Sequence, residues 1–297
     1  MSALSLSRVE RRVGKFALGP IDLEVPQGAV MAFIGPNGAG KTTTLDLIMG
    51  LASADGGRIE VLGRTMPKDE VAIRARVGYV SPDLNFAPWG KVGRALDFVR
   101  GFYPDWDEAR AAHLMREFGI ARGERIAALS FGARIKLSLV MALARDAELL
   151  LLDEPTVGLD VNARQILFRE ILDFVKREER SVLISSHQLS ELERLADHVA
   201  LIDQGKLITV DRMDALVGRY VQIDAQTNDP AQPLPPGLKL LDRDGSWMRL
   251  LLDRKTIEPA ALAAQGITVL SETPMTLEEI FLALVDKPQA RSFGDKP

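Results

Sequence analysis

The chain has 297 residues, of which 46% are hydrophobic and 26% charged, a composition typical of two globular domains or of one large domain with an appendage. Its formal net charge of −4 gives no indication of the basic surface that a nucleic-acid-binding protein needs. It contains no cysteine, which excludes disulfides, cysteine-ligated zinc and iron–sulfur clusters.

The N-terminus and the hydropathy predict a protein without membrane segments of its own. Residues 1–12 alternate short apolar residues with arginine and glutamate and do not resemble a signal peptide. No apolar run approaches the roughly 20 residues that span a bilayer. We therefore expect a soluble, cytoplasmic protein, and any membrane span with which it works must belong to another chain.

The first 50 residues contain short predicted strands followed by a glycine-rich loop. Residues 1–30 are predicted to form short strands and turns, because their apolar residues alternate or nearly do so. Val30–Ile34 is an apolar run of the length of a buried strand. Residues 35–42 then read Gly-Pro-Asn-Gly-Ala-Gly-Lys-Thr, and apolar residues at helical spacing predict a helix over 41–51.

A strand, a glycine-rich loop and a helix in this order predict a phosphate-binding P-loop. Glycines let successive backbone N–H groups converge on one anion, and the N-terminus of the helix points at the same place. Lys41 is expected to reach the β- and γ-phosphates, and the Thr42 hydroxyl to ligate Mg²⁺. A glycine-rich turn without a ligand is the alternative, which the lysine and threonine disfavour. The predicted ATP contacts of this stretch are Gly35, Pro36, Asn37, Gly38, Ala39, Gly40, Lys41, Thr42 and Thr43.

A helical segment interrupts an alternation of strands and helices. After predicted strands at 58–63 and 77–80 with a short helix at 70–76 between them, the pattern is helical at about 86–145. Strands are then predicted at 148–153, 181–185, 199–202 and 206–210, with helices at 162–178 and 189–196. This alternation predicts a largely parallel sheet that is covered on both faces.

Beyond about residue 214 the chain reads as an appendage of short strands that ends in a helix at 276–285. We therefore expect a first domain at 1–214, which includes the helical subdomain at about 86–145. A small α+β appendage at 215–285 and a disordered tail at 286–297 would follow.

Two adjacent acids follow a run of four leucines in the second half of the chain. Asp153 and Glu154 stand at the carboxyl end of this predicted strand, where sites of parallel sheets lie. Asp153 would hold Mg²⁺ through water, and Glu154 would orient or deprotonate the attacking water. A strand that ends in solvated acids is the alternative, which the P-loop disfavours.

Three further motifs complete a recognisable order. Leu-Ser-Phe-Gly at 129–132 opens a helix with Ser130 as a candidate N-cap, Gly-Leu-Asp stands at 158–160, and Ser-Ser-His stands at 185–187. With the P-loop and the Asp-Glu-Pro-Thr of 153–156, this order resembles the ATP-binding cassette (ABC) ATPases over about residues 1–215.

The resemblance implies an α/β fold: a P-loop NTPase core of the ABC ATPase type with an antiparallel β subdomain and a helical insert. It also implies that Ser130, Phe131 and Gly132 belong to a signature motif that docks on the γ-phosphate held by a partner subunit. Asp160 would be the D-loop acid at the dimer interface, and His187 the switch histidine that contacts the γ-phosphate. Two Mg-ATP would then be held between two such domains, whose closing and reopening performs mechanical work.

The chain departs from the family pattern at the signature motif and at the position after the 77–80 strand. Phe131 and Ala133 replace a glycine and the glutamine of the usual Leu-Ser-Gly-Gly-Gln. Pro82 stands at the position of the glutamine that normally follows the 77–80 strand, with Asp83 beside it as a candidate substitute.

A third departure concerns the adenine contact. Val13 occupies the place of an aromatic residue that stacks on adenine in the family, and Phe16 stands three residues on. Adenine would therefore pack against the aliphatic Val13 or stack on Phe16.

One cassette without membrane spans resembles the separate nucleotide-binding subunit of a multi-chain transporter. The stretch at 102–106 and the helix at 276–281 are similar to those of bacterial exporter ATPases. The implied partners are a second copy or a paralogous ATPase, and an integral membrane permease whose coupling helix enters a groove near Phe86, Pro88 and Trp89. The chain would then lie on the inner face of the cell membrane, and no nucleic acid is expected as a partner.

Two alternatives remain open at this point. A soluble ABC ATPase of translation, repair or cofactor assembly is disfavoured by the single cassette, the lack of a long coiled coil and the acidic balance. A nucleotide-binding regulator without turnover is disfavoured by Glu154 and His187, which both occupy catalytic positions.

Overall fold

The computed structural model of the chain describes residues 1–177, 179–229 and 232–285, which divide into two compact units. The first unit is Met1–Val210 and the second begins at Asp211, where the sequence predicts a boundary at 214. Each unit has a hydrophobic core of its own. Residues 286–297, predicted to form a disordered tail, lie outside the described residues.

The helices and strands of the first unit alternate along most of its length. In chain order they are β1 (Ser2–Val13), β2 (Phe16–Pro26), β3 (Val30–Ile34), α1 (Lys41–Ile48), β4 (Gly56–Val61), β5 (Arg64–Thr65), α2 (Glu70–Arg76), β6 (Val77–Val80), α3 (Val92–Arg100), α4 (Glu108–Phe118), α5 (Phe131–Leu143), β7 (Leu149–Asp153), α6 (Val161–Val175), β8 (Ser181–Ser186), α7 (Leu189–Leu192), β9 (His198–Asp203) and β10 (Lys206–Arg212).

Within the described residues, the first unit is built on two sheets. The first sheet has the order β2-β1-β4-β5 and antiparallel pairing, and the second has the order β10-β9-β3-β8-β7-β6. In the second sheet β3 pairs in parallel with both β8 and β9, and β7 pairs in parallel with β6 and β8. The predicted parallel sheet is present, and its central strands are completely buried. Their side chains share one hydrophobic core with α1 and with the first sheet.

The prediction of short strands in residues 1–30 is wrong about their length. β1 and β2 run for 12 and 11 residues and pair along their whole length. Three register shifts in this pair, between Ser2 and Leu4, Leu6 and Val9, and Val9 and Arg11, explain the difference. A bulge inserts a residue and so interrupts the alternation of apolar residues without ending the strand.

The helical segment between β6 and β7 contains α3, α4 and α5. Asp107 caps α4, since its Oδ1 accepts a hydrogen bond of 2.8 Å from the Arg110 amide, and the helix ends at Gly119 in the left-handed region. The Arg110 guanidinium also donates to the buried Glu170 carboxylate on α6 at 2.8 Å. This ion pair attaches the segment to the α/β core.

The predicted helix at 189–196 is shorter in the structure. It ends at Leu192, after which the amides of both Leu195 and Ala196 donate to the Leu192 carbonyl oxygen. Two donors on one acceptor form a tight terminal turn rather than a continued helix.

The second unit contains α8 (Met213–Arg219), β11 (Tyr220–Thr227), β12 (Leu238–Asp244), β13 (Trp247–Asp253), β14 (Ile267–Pro274) and α9 (Leu277–Val285). Its strands form a sheet of order β12-β13-β11-β14, and the pairs are antiparallel. One face of this sheet buries Ile223, Leu250 and Leu252 with Leu262, which forms a separate small core. Nowhere in the described residues is there a helix long and apolar enough to cross a bilayer.

Candidate active site

Three neighbouring parallel strands end at one edge of the second sheet, and each ends in residues of a predicted motif. Ile34 pairs with Ser186, and Asp153 pairs with Ser185. The P-loop therefore follows β3 at the same edge at which β7 presents Asp153 and β8 leads to His187. This is the edge at which sites of open α/β sheets form.

The P-loop turns sharply between β3 and α1, and its turn requires glycine. A Cβ on Gly35 would overlap the Ile202 carbonyl oxygen, and Gly40 has a φ of 109° with no room for a Cβ beside Leu18. Gly38 has a φ of 80°, which is also in the left-handed region. The loop backbone is thus held in a shape that L side chains would strain.

Lys41 is buried at the first position of α1, with 6% of its surface exposed. Its Nζ donates to the carbonyl oxygens of Gly35 at 2.7 Å and Pro36 at 3.3 Å. The same nitrogen lies 3.2 Å from Glu154 Oε1. A fixed positive charge therefore stands at the mouth of the P-loop.

Thr42 and Asp153 meet at the centre of the site. The Thr42 hydroxyl donates to Asp153 Oδ2 at 2.7 Å, and the Ser185 hydroxyl donates to Asp153 Oδ1 at 2.5 Å. Burial raises the pKa of Asp153, and the two hydroxyl donors oppose that rise. Ser185 belongs to the Ser-Ser-His motif but had no predicted role of its own, although a serine inside a fully buried strand signals a required hydrogen bond.

A hydroxyl beside one carboxylate is a donor set that fits Mg²⁺, which is usually bound through one or two carboxylates, waters and substrate phosphates. The described residues contain no group of three or more histidine, cysteine, aspartate or glutamate side chains that would hold a metal by themselves. The donors at Thr42 and Asp153 therefore suit a metal that arrives with a phosphate ligand.

Glu154 connects Lys41 to His187. Its Oε2 lies 2.7 Å from His187 Nδ1, and because an ionised carboxylate only accepts, the histidine carries the proton of this hydrogen bond on Nδ1. Glu154 Oε1 is buried and accepts no hydrogen bond. The residue has a φ of 45°, a conformation that costs a non-glycine residue free energy, and its amide is held by Ser185. Such strain at a charged residue indicates a functional position.

An open cleft of about 390 Å³ lies over these groups. Phe16 forms one wall of the cleft and Glu154 another, whereas Val13 is 53% exposed and is not among the residues that line it. Of the two sequence candidates for the adenine contact, the structure brings only Phe16 to the cleft. The remaining lining residues are Pro36, Asn37, Gly38, Gly40, Lys41, Thr42 and Thr43.

The predicted signature residues and the predicted D-loop acid do not line this cleft. Instead, the two segments that contain them contact each other. A Cβ on Gly132 would collide with the Gly158 carbonyl oxygen, so the two loops touch through their backbones. Asp160 caps α6 through the Ala163 amide at 2.8 Å and accepts a hydrogen bond of 2.8 Å from Lys136 on α5. Lys136 lowers the pKa of Asp160. No sequence motif pointed to Lys136 or to the packing of Gly132 on Gly158.

Ser130 caps its own helix, since its Oγ accepts a hydrogen bond of 3.1 Å from the Ala133 amide. The neighbouring Phe131 is 42% exposed. The helix N-terminus that these residues open carries the positive end of the α5 dipole.

The region of Pro82 and Asp83 lies outside the lining of the cleft. Asp83 is exposed, and its amide donates a hydrogen bond of 3.3 Å to the Ser81 hydroxyl oxygen. Nearby, Tyr79 donates to Asp46 at 3.2 Å. Burial raises the pKa of Asp46, and the charges of Asp153 and Asp83 raise it further. Asp83 therefore interacts electrostatically with Asp46 on α1. No sequence motif had pointed to Asp46.

The sequence resembles those of known proteins along nearly its whole length. The profile of the family described as ABC transporter matches residues 18–157. The chain is 32% identical to the Nod factor export ATP-binding protein I of Burkholderia orbicola (strain AU 1054), over 97% of this chain and 98% of that protein. It is 29% identical to the ABC transporter ATP-binding protein YtrB of Bacillus subtilis (strain 168), over 91% of this chain and 93% of that protein.

Solved structures confirm the predicted fold class. The structure described as an ATP binding subunit of an ABC transporter superposes with a TM-score of 0.66 at 24% identity, covering 72% of this chain and 92% of that one. The structure of cbiO1 from Clostridium perfringens superposes with a TM-score of 0.60 at 22% identity, covering 73% of this chain and 91% of that one.

Proposed function

Because this chain belongs to the ABC transporter family, as an ATP-binding ATPase subunit, we propose that it hydrolyses ATP in order to drive a separate membrane-spanning export subunit. The observation that carries this proposal is the position of Glu154. One of its carboxylate oxygens faces Lys41 and the other is held by His187, at the wall of the cleft that the P-loop lines.

The chemistry of this arrangement is attack of a water on the γ-phosphate of ATP. Glu154 orients that water and accepts its proton through Oε1, a buried oxygen that makes no hydrogen bond and lies 3.2 Å from the Lys41 ammonium. Lys41 stabilises the charge that develops on the phosphoryl oxygens. His187 fixes Glu154 through Nδ1, and with Nε2 also protonated the ring would donate a hydrogen bond to the γ-phosphate.

Thr42 and Asp153 would hold Mg²⁺, since their oxygens already lie together and both suit that ion. When bound, the metal neutralises charge on the β- and γ-phosphates. Ser185 holds the second Asp153 oxygen and so orients the carboxylate for this contact.

The site is completed by a second copy of this chain or by a paralogous ATPase. Ser130, Phe131, Gly132 and Asp160 form a surface that is separate from the lining of the cleft in their own chain. Since the N-terminus of α5 suits an anion, this surface would close on the γ-phosphate bound by the partner. ATP would thus hold two chains together, and hydrolysis would release them.

The membrane subunit is expected to dock beside the helical segment. Four aromatic rings form a continuous chain there, with centroids 5.9 Å apart for Phe86 and Trp89, 5.2 Å for Trp89 and Phe98, and 5.0 Å for Phe98 and Phe102. Phe98 is 48% exposed and Phe102 is 67% exposed. Exposed contiguous aromatic side chains favour a protein partner. Docking at this place would hold the chain on the cytoplasmic face of the membrane.

Affinity purification from gently solubilised native membranes, with a tag on this chain, tests the transport function. We expect a multi-span protein to be recovered in a fixed ratio to the chain. Recovery in the soluble fraction alone, without an integral membrane partner, would contradict the proposal and favour a soluble ABC ATPase.

A further inference from the structure

His187 is followed almost directly by a helix of a single turn. α7 spans Leu189–Leu192, so that one residue separates it from the histidine. A helix this short is not stable by itself, and contacts with the rest of the fold must hold it in place. Leu189 and Leu192 are buried. Hydrophobic contacts have no direction, however, and they do not by themselves set the orientation of the turn.

An ion pair joins α7 to α6. Arg164 Nη1 donates a hydrogen bond of 2.8 Å to Glu191 Oε1, and the two side chains are 27% and 29% exposed. One nitrogen and one oxygen make the contact, whereas Arg164 Nε and Glu191 Oε2 are buried and make no hydrogen bond. A charge-assisted hydrogen bond is directional, and it is stronger where water is partly excluded than at an open surface. This contact can therefore fix the orientation of α7.

The ion pair attaches α7 to a firmly held part of α6. Arg164 lies four residues after Asp160, the N-cap of α6, and its amide donates to the Asp160 carbonyl oxygen at 3.0 Å. Lys136 on α5 in turn holds the Asp160 carboxylate at 2.8 Å. Glu191 lies four residues after His187. The pair thus connects the first turn of one helix with the segment that carries the histidine.

The position of that segment decides whether the His187 ring meets Glu154. Nδ1 lies 2.7 Å from Glu154 Oε2, although the histidine side chain is 48% exposed. Half of the ring surface has no protein around it, so side-chain packing alone does not hold the ring against the carboxylate. The hydrogen bond depends on the placement of the backbone at His187, which continues directly into α7.

We propose that Arg164 and Glu191 are positioning residues, which hold α7 in the orientation that keeps the His187 ring on Glu154. The inference rests on the proposed function, because it takes His187 and Glu154 as the residues that act on ATP. Neither Arg164 nor Glu191 lines the cleft. Loss of their ion pair should therefore impair turnover and leave the binding of ATP intact.

Steady-state kinetics of the full chain test this separation. Arg164→Gln and Glu191→Gln should each lower kcat about tenfold and leave the KM for ATP within about twofold of the wild type, because a small displacement of a catalytic group is costly. The double variant should lose no more than either single variant, since both remove the same contact. Arg164→Lys should keep most of the turnover, because a single nitrogen makes the contact.

Nitrogen NMR of the nucleotide-free chain with isotope-labelled histidine reports the position of the His187 ring directly. The chain has three histidines, and His187→Gln identifies the signals of this one. Glu154→Ala supplies the reference for a ring without its carboxylate acceptor. Arg164→Gln and Glu191→Gln should move the Nδ1 signal from its wild-type position toward that of Glu154→Ala, which a merely structural ion pair would not do.

Arg169→Gln is the matched control. Arg169 is a second arginine of α6, and it pairs with Glu117 at 2.7 Å instead of with a residue of α7. This variant should leave both kcat and the Nδ1 signal of His187 unchanged. Thermal unfolding shows whether each variant folds, and if Arg164→Gln does not fold, Glu191→Gln decides.

The outcomes separate this inference from the function on which it rests. A His187 signal that stays at its wild-type position in Arg164→Gln and Glu191→Gln overturns the positioning role, whatever their kcat, and leaves the ATPase function standing. Additive losses of kcat in the double variant overturn it as well. A wild-type chain whose His187 signal already equals that of Glu154→Ala, and which does not hydrolyse ATP, overturns both.

Discussion

The Thr42 hydroxyl donates a hydrogen bond of 2.7 Å to Asp153 Oδ2, although 111 residues separate the two in the sequence. β8 lies between their strands and contributes Ser185, which holds the other Asp153 oxygen at 2.5 Å. The P-loop and the ends of β7 and β8 are therefore joined in one hydrogen-bonded site. Substitutions in either part should change nucleotide binding or turnover.

Lys41→Ala should lower the affinity for ATP at least about a hundredfold, because charge-assisted hydrogen bonds contribute about 1.5–3 kcal/mol each and Lys41 is placed for more than one. Calorimetric titration with Mg-ATP measures the affinity. Lys176→Ala is the control, since the Lys176 side chain is 72% exposed. Unchanged affinity in Lys41→Ala would contradict the P-loop assignment.

Glu154→Gln should keep ATP binding and lower kcat by about 10²–10⁴, because the amide preserves the shape of the side chain but does not accept a proton. Gel filtration with Mg-ATP should show a dimer that the wild-type chain forms only transiently. Glu117→Gln, at an exposed ion pair with Arg169, should behave as wild type. Wild-type turnover in Glu154→Gln would refute the catalytic role of Glu154. A Glu154→Gln chain that stays monomeric with Mg-ATP would refute the closure of two chains around ATP.

Phe16→Ala should weaken ATP binding by about 1–3 kcal/mol, the usual contribution of one base stacked on an aromatic ring. Val13→Ala should leave the affinity unaltered, because Val13 is exposed and does not line the cleft. Comparing the Kd of both variants for ATP and for inorganic triphosphate isolates the base contact. If Val13→Ala weakened ATP binding more than Phe16→Ala, adenine would pack against Val13 and not against Phe16.

Gly132→Ala should lower ATPase turnover at least about tenfold while ATP binding by the monomer is retained, because a Cβ there displaces the Gly158 backbone and with it the segment that leads to Asp160. Gly123→Ala is a close control: a Cβ at Gly123 meets nothing within 4 Å. Steady-state turnover and ATP titration of both variants check this. Equal turnover in the two would show that the contact of Gly132 with Gly158 does not matter for catalysis.

The second unit should lose stability in acid through Asp253. Arg219 donates to both of its oxygens, at 2.8 and 2.6 Å, and lowers the pKa of Asp253. A depressed pKa stabilises the folded state above the unfolded-state pKa of about 3.9, and this stabilisation is lost as the pH falls through the lower folded-state pKa.

Asp253→Asn should therefore lower the hydrogen-exchange protection of β11 and β13 amides about tenfold at pH 7, where the charged pair is intact, and much less near pH 2. Asp214→Asn is the control, because Asp214 pairs with Arg212 at a side chain that is 71% exposed. Equal effects of the two substitutions at pH 7 would contradict the stabilising role of the ion pair between Asp253 and Arg219.

The local sequence by itself determined the strand, the glycine-rich loop and the helix around residues 30–48, and the order of the motifs along the chain carried the resemblance that implied the fold class. A five-residue apolar strand, a loop with three glycines and a helix that begins at Lys41 are specified by residues that are neighbours in the chain. The same holds for the cap of α4 at Asp107, since a capping hydrogen bond spans three residues. These features were predictable because the interactions that produce them are short in sequence.

Tertiary structure decided which residues that are distant in the sequence lie close together in the fold. The sequence left Val13 and Phe16 as equal candidates for the adenine contact, and only the path of β1 and β2 past the P-loop brings Phe16 to the cleft. The role of Ser185 depends on the parallel register of β7 and β8. Sequence patterns record propensity and order, whereas burial and pairing between distant residues arise from the packing of the whole unit.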